Sequence, residues 1–229
     1  MSAERGEPTK PRAKKAKPRD GGRGPRSRNG GRESSSKNAR EEQLVQNALS
    51  LFSQGGFRET SLQEIADKLG ITRPLFYYYF ESKEDLLWRL IGHVGDELLE
   101  RARPIAEAEG EPERKLRSLL EAHADTLLSN LDTFRVYFAE RHLVEGKRNR
   151  RLKRGEDEYL GLYASVIGEG QRAGIFRREN RRVLALIATG AVNSLLRWYE
   201  SGGIMSADDI GHLAADVAVR GLKASQGDT

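Results

Sequence analysis

An all-α fold is predicted by three features of the 229-residue sequence. From Asn38 onward, apolar residues recur at spacings of three and four. No stretch sustains the two-residue alternation of a half-buried strand, and Gly, Asn, Ser or Pro separate the periodic segments. There is neither a hairpin signal nor an internal repeat.

The first helix carries Leu44, Val45, Ala48, Leu51 and Phe52 on one side, and Gly55-Gly56 stops it. The second is short, with Leu62, Ile65, Ala66 and Leu69 inward. "SLQE" marks its start, because Ser61 and Glu64 can cap each other's backbone. Gly70 ends it, Thr72 caps a third helix, and Pro74 is tolerated in that helix's first turn. Ser82 caps a fourth, whose Glu84 and Asp85 suit the positive end of the helix dipole. Pro104 is expected to terminate it. Further helices are expected over roughly 112–129, 132–145, 149–173, 179–200 and 206–224.

Charge is unevenly placed. Residues 1–38 hold twelve Lys/Arg against four Asp/Glu, while the whole chain is only +5, so the remainder is about −3. That segment contains no Val, Ile, Leu, Phe, Trp or Tyr, which predicts a disordered basic tail. It could lie along nucleic-acid phosphates or simply solubilise the chain. The absence of cysteine removes disulfides, thiolate metal sites and cysteine nucleophiles together. No metal site, cofactor or catalytic constellation stands out. The longest nearly apolar run, Val183–Leu196, is shorter than the ~20 residues of a membrane span. A cytoplasmic protein without enzymatic activity is expected.

"GITRPLFYYYF", residues 70–80, ends in five consecutive aromatic residues. Phe76 and Phe80 are four apart and share a side, suited to packing on Ile65 and Leu69. Pro74, Tyr77 and Tyr78 then face outward, with Arg73 and Leu75 at the edges. The preceding helix and Gly-containing turn complete a helix-turn-helix pattern. In a major groove, Arg73 can donate two hydrogen bonds to guanine and Leu75 can touch a thymine methyl. Tyrosine hydroxyls reach phosphate oxygens and fix the register. The competing use of such a face is a protein-interaction surface.

Residues 51–87, "LFSQGGFRETSLQEIADKLGITRPLFYYYFESKEDLL", resemble the N-terminal domain of the TetR family of transcriptional repressors. The matching positions are Phe57, Thr60, Ser61, Ile65, Ala66, Gly70, Ile71, Thr72, Phe76, Tyr77, Tyr79, Phe80, Lys83, Glu84 and Leu86. The resemblance implies that Thr72, Arg73, Pro74 and Leu75 lie at or near bases. It places Tyr77, Tyr79 and Lys83 at phosphates, with Thr60 and Ser61 near the DNA backbone; Tyr78 joins them by its outward position. Phe76 replaces the family's usual Leu, and Pro74-Leu75 a commoner small pair, so the operator sequence stays open.

Beyond the tail that composition marks over 1–38, the same resemblance implies a helix-turn-helix domain over 39–83 and a helical effector-binding and dimerisation domain over 84–229. Expected partners are double-stranded DNA bearing an inverted repeat, a second copy of the chain, and a small-molecule effector. Dimer candidates on the last two helices are Leu184, Ala188, Ala191, Leu195, Leu213 and Val217. Effector-pocket candidates are Trp88, Ile91, His123, Leu127, Phe134, Tyr137, Phe138, His142, Tyr159 and Tyr163, each with plain core packing as its alternative.

The run "GKRNRRLKRGEDEY" gathers Lys147, Arg148, Arg150, Arg151, Lys153 and Arg154. It is either a solvated connector or a grip for the phosphates of an acyl-CoA. "RWYESGG", residues 197–203, resembles a feature of regulators of lipid or sterol catabolism that respond to CoA thioesters. The expected function is a dimeric, sequence-specific repressor released by its effector. The alternative is an architectural DNA binder driven by the basic tail.

Overall fold

Helices and turns, with no strand, make up the described part of the chain. The computed structural model describes the backbone of residues 30–224 and side chains from Arg40 onward. The elements are α1 (Gly30–Gly55), α2 (Leu62–Leu69), α3 (Arg73–Tyr79), α4 (Lys83–Glu107), α5 (Pro112–Ser129), α6 (Leu131–Glu140), α7 (Gly146–Arg172), α8 (Arg181–Asn193) and α9 (Ala207–Gly221). Short 3-10 turns follow α6 at Arg141–Leu143 and α8 at Ser194–Arg197. None of these helices is long and apolar enough to cross a membrane.

Local chemistry sets the first boundaries as expected. Ser61 and Glu64 form a reciprocal capping box on α2, and Gly70 closes that helix at φ 63°, where a side chain would be strained. The Thr72 and Ser82 hydroxyls cap α3 and α4 by accepting from Leu75 N–H and Asp85 N–H.

Other boundaries differ. The basic tail predicted over 1–38 lies outside the described residues as far as Asn29, but α1 already begins at Gly30. No Gly or Pro interrupts the chain from Arg32 to Gln54, so nothing local stops the helix earlier. Pro104 does not end α4, which continues to Glu107. The carbonyl that Pro104 leaves unpaired belongs to exposed Glu100, while Ala102 and Ala106 are buried and hold the last turns in place. The single helix expected over 179–200 breaks at Asn193, and the one over 132–145 at Glu140.

Two apolar cores result. The first joins Leu44, Ala48 and Phe52 of α1 to Ile65, Leu69, Phe76, Phe80 and the start of α4. It reaches past the predicted boundary at Lys83 to Ile91, and takes in Val136, Val144 and Leu152. The second core fills the space among α4, α5, α7, α8 and α9. An isolated antiparallel bridge between Phe176 and Lys223 ties the α7–α8 connection to the end of α9.

Phe176 is buried against Gly170 so closely that a Cβ there would meet its ring. Gly170→Ala is therefore expected to destabilise the fold by about 1–3 kcal/mol, visible as a lower urea midpoint at unchanged m-value.

Candidate nucleic-acid interface and ligand cavity

The sequence of α3 divides into two faces. Phe76 and Phe80 are each 1% exposed and stack 5.2 Å apart, anchoring the helix to the first core. Leu75, Tyr77 and Tyr78 are 40%, 52% and 62% exposed. Arg73 and Pro74 are exposed at the start of the helix, and Arg73 has no hydrogen bond or ion pair among the described residues. Tyr79 is half-buried and meets Tyr78 edge-on at 5.1 Å. The outward surface is thus a guanidinium, an aliphatic side chain and two phenols on a capped helix.

Lys83, expected at phosphate, and Thr60, expected near the DNA backbone, both have partners within the chain. Lys83 Nζ donates to the carbonyls of Phe57, Arg58 and Thr60 at 2.5, 3.4 and 3.0 Å, and lies over the Phe57 ring. These carbonyls end the α1–α2 turn, and the ammonium is spent on holding them. Thr60 is buried, its hydroxyl donating to the Gly56 carbonyl at 2.7 Å. Ser61 is exposed, though its hydroxyl is engaged by the capping box.

The head is fastened to the rest of the chain by charge. Asp85, nearly buried, accepts from Glu81 N–H at 3.1 Å, from Arg89 Nε at 3.3 Å and from Arg148 Nη2 at 2.7 Å. Arg148 also pairs with Glu81, and Arg89 with Glu41 of α1. One residue of the basic run therefore links α7 to the α3–α4 junction.

A cavity of about 570 Å³ lies between α4, α5, α6, α7 and α8. It is lined by seven predicted pocket residues: Trp88, Ile91, His123, Phe134, Tyr137, Phe138 and Tyr159. Three others do not reach it. Leu127 is fully buried in the second core. Tyr163 is also buried, its hydroxyl donating to the Leu119 carbonyl. His142 is exposed and accepts from Arg58 Nη2 at 3.3 Å.

Polar lining residues that periodicity could not single out are Asp96, Arg141, Glu156, Thr189 and Asn193. They stand on three helices and a 3-10 turn, so no linear spacing joins them. Arg151 and Arg154 from the basic run also line it and are exposed.

Glu156 accepts from the Tyr137 hydroxyl and, at 2.5 Å, from Arg141 Nη2. Burial and then the bond to Glu156 push the Tyr137 phenol well above its usual value. Burial disfavours charge on Arg141, but Tyr137 and Glu156 outweigh that and raise its pKa. The Tyr159 hydroxyl bonds to Tyr163 at 2.9 Å, and burial raises both phenols.

His123 is 3% exposed, between the rings of Phe134 and Tyr159. Desolvation pulls its pKa from 6.5 down to about 4, against a smaller opposing effect of Asn193, so the imidazole is neutral near pH 7. Unfolding frees it to bind a proton below pH 6.5. Stability should therefore fall as pH drops from 6.5 to 4, by roughly 3 kcal/mol from this group alone. Urea titrations across that range should show the slope in the native chain and its loss in His123→Phe.

The predicted dimer residues divide between core and surface. Leu184, Ala188 and Leu195 are buried in the second core, because α8 turns that face toward α5, α7 and α9. They are unavailable to a partner helix. Ala191 is half-buried against the same core, whereas Leu213 and Val217 are about half exposed.

Residues 44–90 match the family model described as bacterial regulatory proteins, tetR family. Residues 109–222 match that of the tetracyclin repressor-like C-terminal domain. A solved transcriptional regulator of the TetR/AcrR family from Thermobifida fusca YX-ER1 is 33% identical, with coverage of 82% of this chain and 100% of its own, at a TM-score of 0.65. The chain belongs to the TetR family.

Among TetR-family relatives it is similar to the HTH-type transcriptional repressor KstR2 of Rhodococcus jostii (strain RHA1). The two are 26% identical over 182 residues, covering 79% of this chain and 89% of that protein. Its fold also matches AibR, solved in complex with isovaleryl coenzyme A and operator DNA. That match is 19% identical, covers 80% of this chain and 98% of AibR, and has a TM-score of 0.71. This TetR-family chain is a DNA-binding transcriptional regulator, and α2–α3 form its helix-turn-helix.

Proposed function

We propose that the protein is a dimeric repressor that reads an inverted-repeat operator and is released by an acyl-CoA. The outward face of α3 carries this reading: it offers one base-reading guanidinium, one methyl-contacting side chain and phenols for phosphate, on a helix fixed by buried Phe76 and Phe80. Two such helices, about 34 Å apart across a two-fold axis, enter successive major grooves.

The exposed sides of α8 and α9 support the dimer. Val183, Leu186 and Ile187 on α8, with Leu213 and Val217 on α9, are each about half exposed. Exposed Gly190 stands on the same helix and would let a partner backbone approach closely. An apolar surface of this kind on adjacent helices suits a self-complementary interface.

The cavity supports an effector, and Arg151 and Arg154 beside its apolar interior suit an acyl chain inside and phosphates outside. The isovaleryl coenzyme A bound to AibR is in keeping with that chemistry. Because α7 lines the cavity and holds Glu81 and Asp85 through Arg148, a ligand that shifts α7 alters the placement of α3. DNA affinity then falls by the effector's differential affinity for the two dimer shapes.

The test is selection of bound duplexes from random DNA by the full-length chain, followed by titration of acyl-CoAs against the selected site. An enriched inverted repeat that acyl-CoAs release supports the proposal. Binding with no sequence preference favours the architectural alternative driven by the basic tail. On the selected site, Arg73→Ala should cost roughly 1–3 kcal/mol and relax one base position, whereas Tyr77→Phe should weaken all sequences alike. Equal losses on every sequence for Arg73→Ala would remove it from base reading.

A further inference from the structure

Two buried polar atoms on cavity-lining residues lack a formed hydrogen bond. His123 Nδ1 on α5 and Asn193 Oδ1 at the end of α8 are both buried, and neither has a hydrogen-bond partner. The two side chains face each other closely enough for Asn193 to favour the protonated imidazole as a hydrogen-bonding neighbour, but without the geometry of a formed bond, and both residues line the same cavity. Phe134 and Tyr159 flank the imidazole, and Ile91 and Leu98 add to the apolar lining of the same cavity. Leaving such a pair unmatched costs about 1–3 kcal/mol per group, so the arrangement is made for something that supplies the missing bonds.

We propose that the effector carries a hydroxyl group that docks between His123 and Asn193, so that the natural ligand is a hydroxylated molecule rather than a plain hydrocarbon chain. A hydroxyl both donates and accepts. It can accept from His123 Nδ1–H while donating to Asn193 Oδ1. If the imidazole takes its other tautomer and the amide is turned with it, the hydroxyl still matches both by exchanging roles, whereas a carbonyl oxygen, which only accepts, leaves the protein acceptor unmatched either way. The imidazole is neutral near pH 7, so the group it selects is an uncharged polar one and not a carboxylate. A site built this way rejects the analogue lacking the hydroxyl, because the two protein atoms are again left unpaired. The inference rests on the cavity being the effector site, but not on the effector being a CoA thioester.

Isothermal titration of the full-length chain with two matched pairs tests it. One pair is 3-hydroxyhexanoyl-CoA and hexanoyl-CoA; the other is cyclohexanol and methylcyclohexane, which dispense with the phosphates. The expected result is that the hydroxylated member of at least one pair binds tenfold tighter or more. That ratio should collapse to within twofold of unity in His123→Phe and, independently, in Asn193→Leu. Two variants on separate helices guard against a fold defect in one. Equal affinities within both pairs overturn the proposal, as does a ratio that survives both substitutions. Discrimination in the alcohol pair without binding of either ester sinks the acyl-CoA reading and sustains the hydroxyl. Esters that bind without discriminating, beside an alcohol pair that does not discriminate either, do the reverse. Binding by no member of either pair overturns both.

Discussion

Phe76→Ala is expected to lower the unfolding midpoint by about 10 °C and to abolish operator binding at growth temperature, although Phe76 touches no DNA. Removing a fully buried phenylalanine costs about 3–5 kcal/mol, and each kcal/mol moves the midpoint of a domain this size by about 2–4 °C. The loss should be concentrated here because α3 has only seven residues. A helix so short is not stable by propensity and depends on its packed face. Phe76 contacts Phe80 at 5.2 Å and Tyr77 edge-on at 5.6 Å, so its removal loosens the outward-facing rings as well. Tyr77→Phe, on the exposed side, is the control. It should unfold with the native chain while weakening DNA binding. A Phe76→Ala protein with an unchanged midpoint would falsify the division of α3 into an anchoring face and a reading face.

The second large effect is expected for Asp85→Ala. Its carboxylate is the shared acceptor for Glu81 N–H, Arg89 and Arg148, and it is almost wholly buried. Removing one member of a buried ionic cluster costs about 3–5 kcal/mol when the others stay uncompensated. Both guanidiniums here are about one-third exposed and can turn toward water, so the lower end of that range applies. Arg148→Met should be milder in denaturation, since Asp85 keeps Arg89. Its signature lies elsewhere. With the link between α7 and the α3–α4 junction gone, effector should still bind with near-native affinity but release operator less completely. Native release by an Arg148→Met protein would show that the signal travels by another contact, such as Leu152 in the first core.

Where a feature was set by neighbours in sequence, the sequence displayed it. The Ser61–Glu64 box, the Gly70 turn and the hydroxyl caps at Thr72 and Ser82 each involve residues within four positions, and each stands where residue chemistry demands. The inward set of α3 was likewise legible, because Phe76 and Phe80 repeat at a helical interval. Contacts across long separations were not. Lys83 looked free for phosphate, yet it reaches back more than twenty residues to the carbonyls that end the α1–α2 turn. Helix α8 is apolar on nearly every side, so its pattern could not say which face stays at home; Leu184 and Ala188 do, and Leu186 and Ile187 do not. Pro104 was overruled by packing at Ala102 and Ala106. The cavity collects polar groups from several elements; His123, Tyr137, Tyr159 and the basic cluster around Arg151 were legible, whereas Asp96, Arg141, Glu156, Thr189 and Asn193 were not.

Helix α7 is one uninterrupted 27-residue rod, about 40 Å long at 1.5 Å per residue. Arg148 grips the head from its first turn, while Arg151, Arg154, Gly155 and Tyr159 face the cavity over the following turns. The two tasks therefore occupy different positions of a single lever. Under the proposed function, mutations that retune chemical taste can accumulate on the cavity side without disturbing the grip, and the promoter addressed by α3 need not change with them. A lineage built on this arrangement can acquire a new inducer while inheriting its old set of genes.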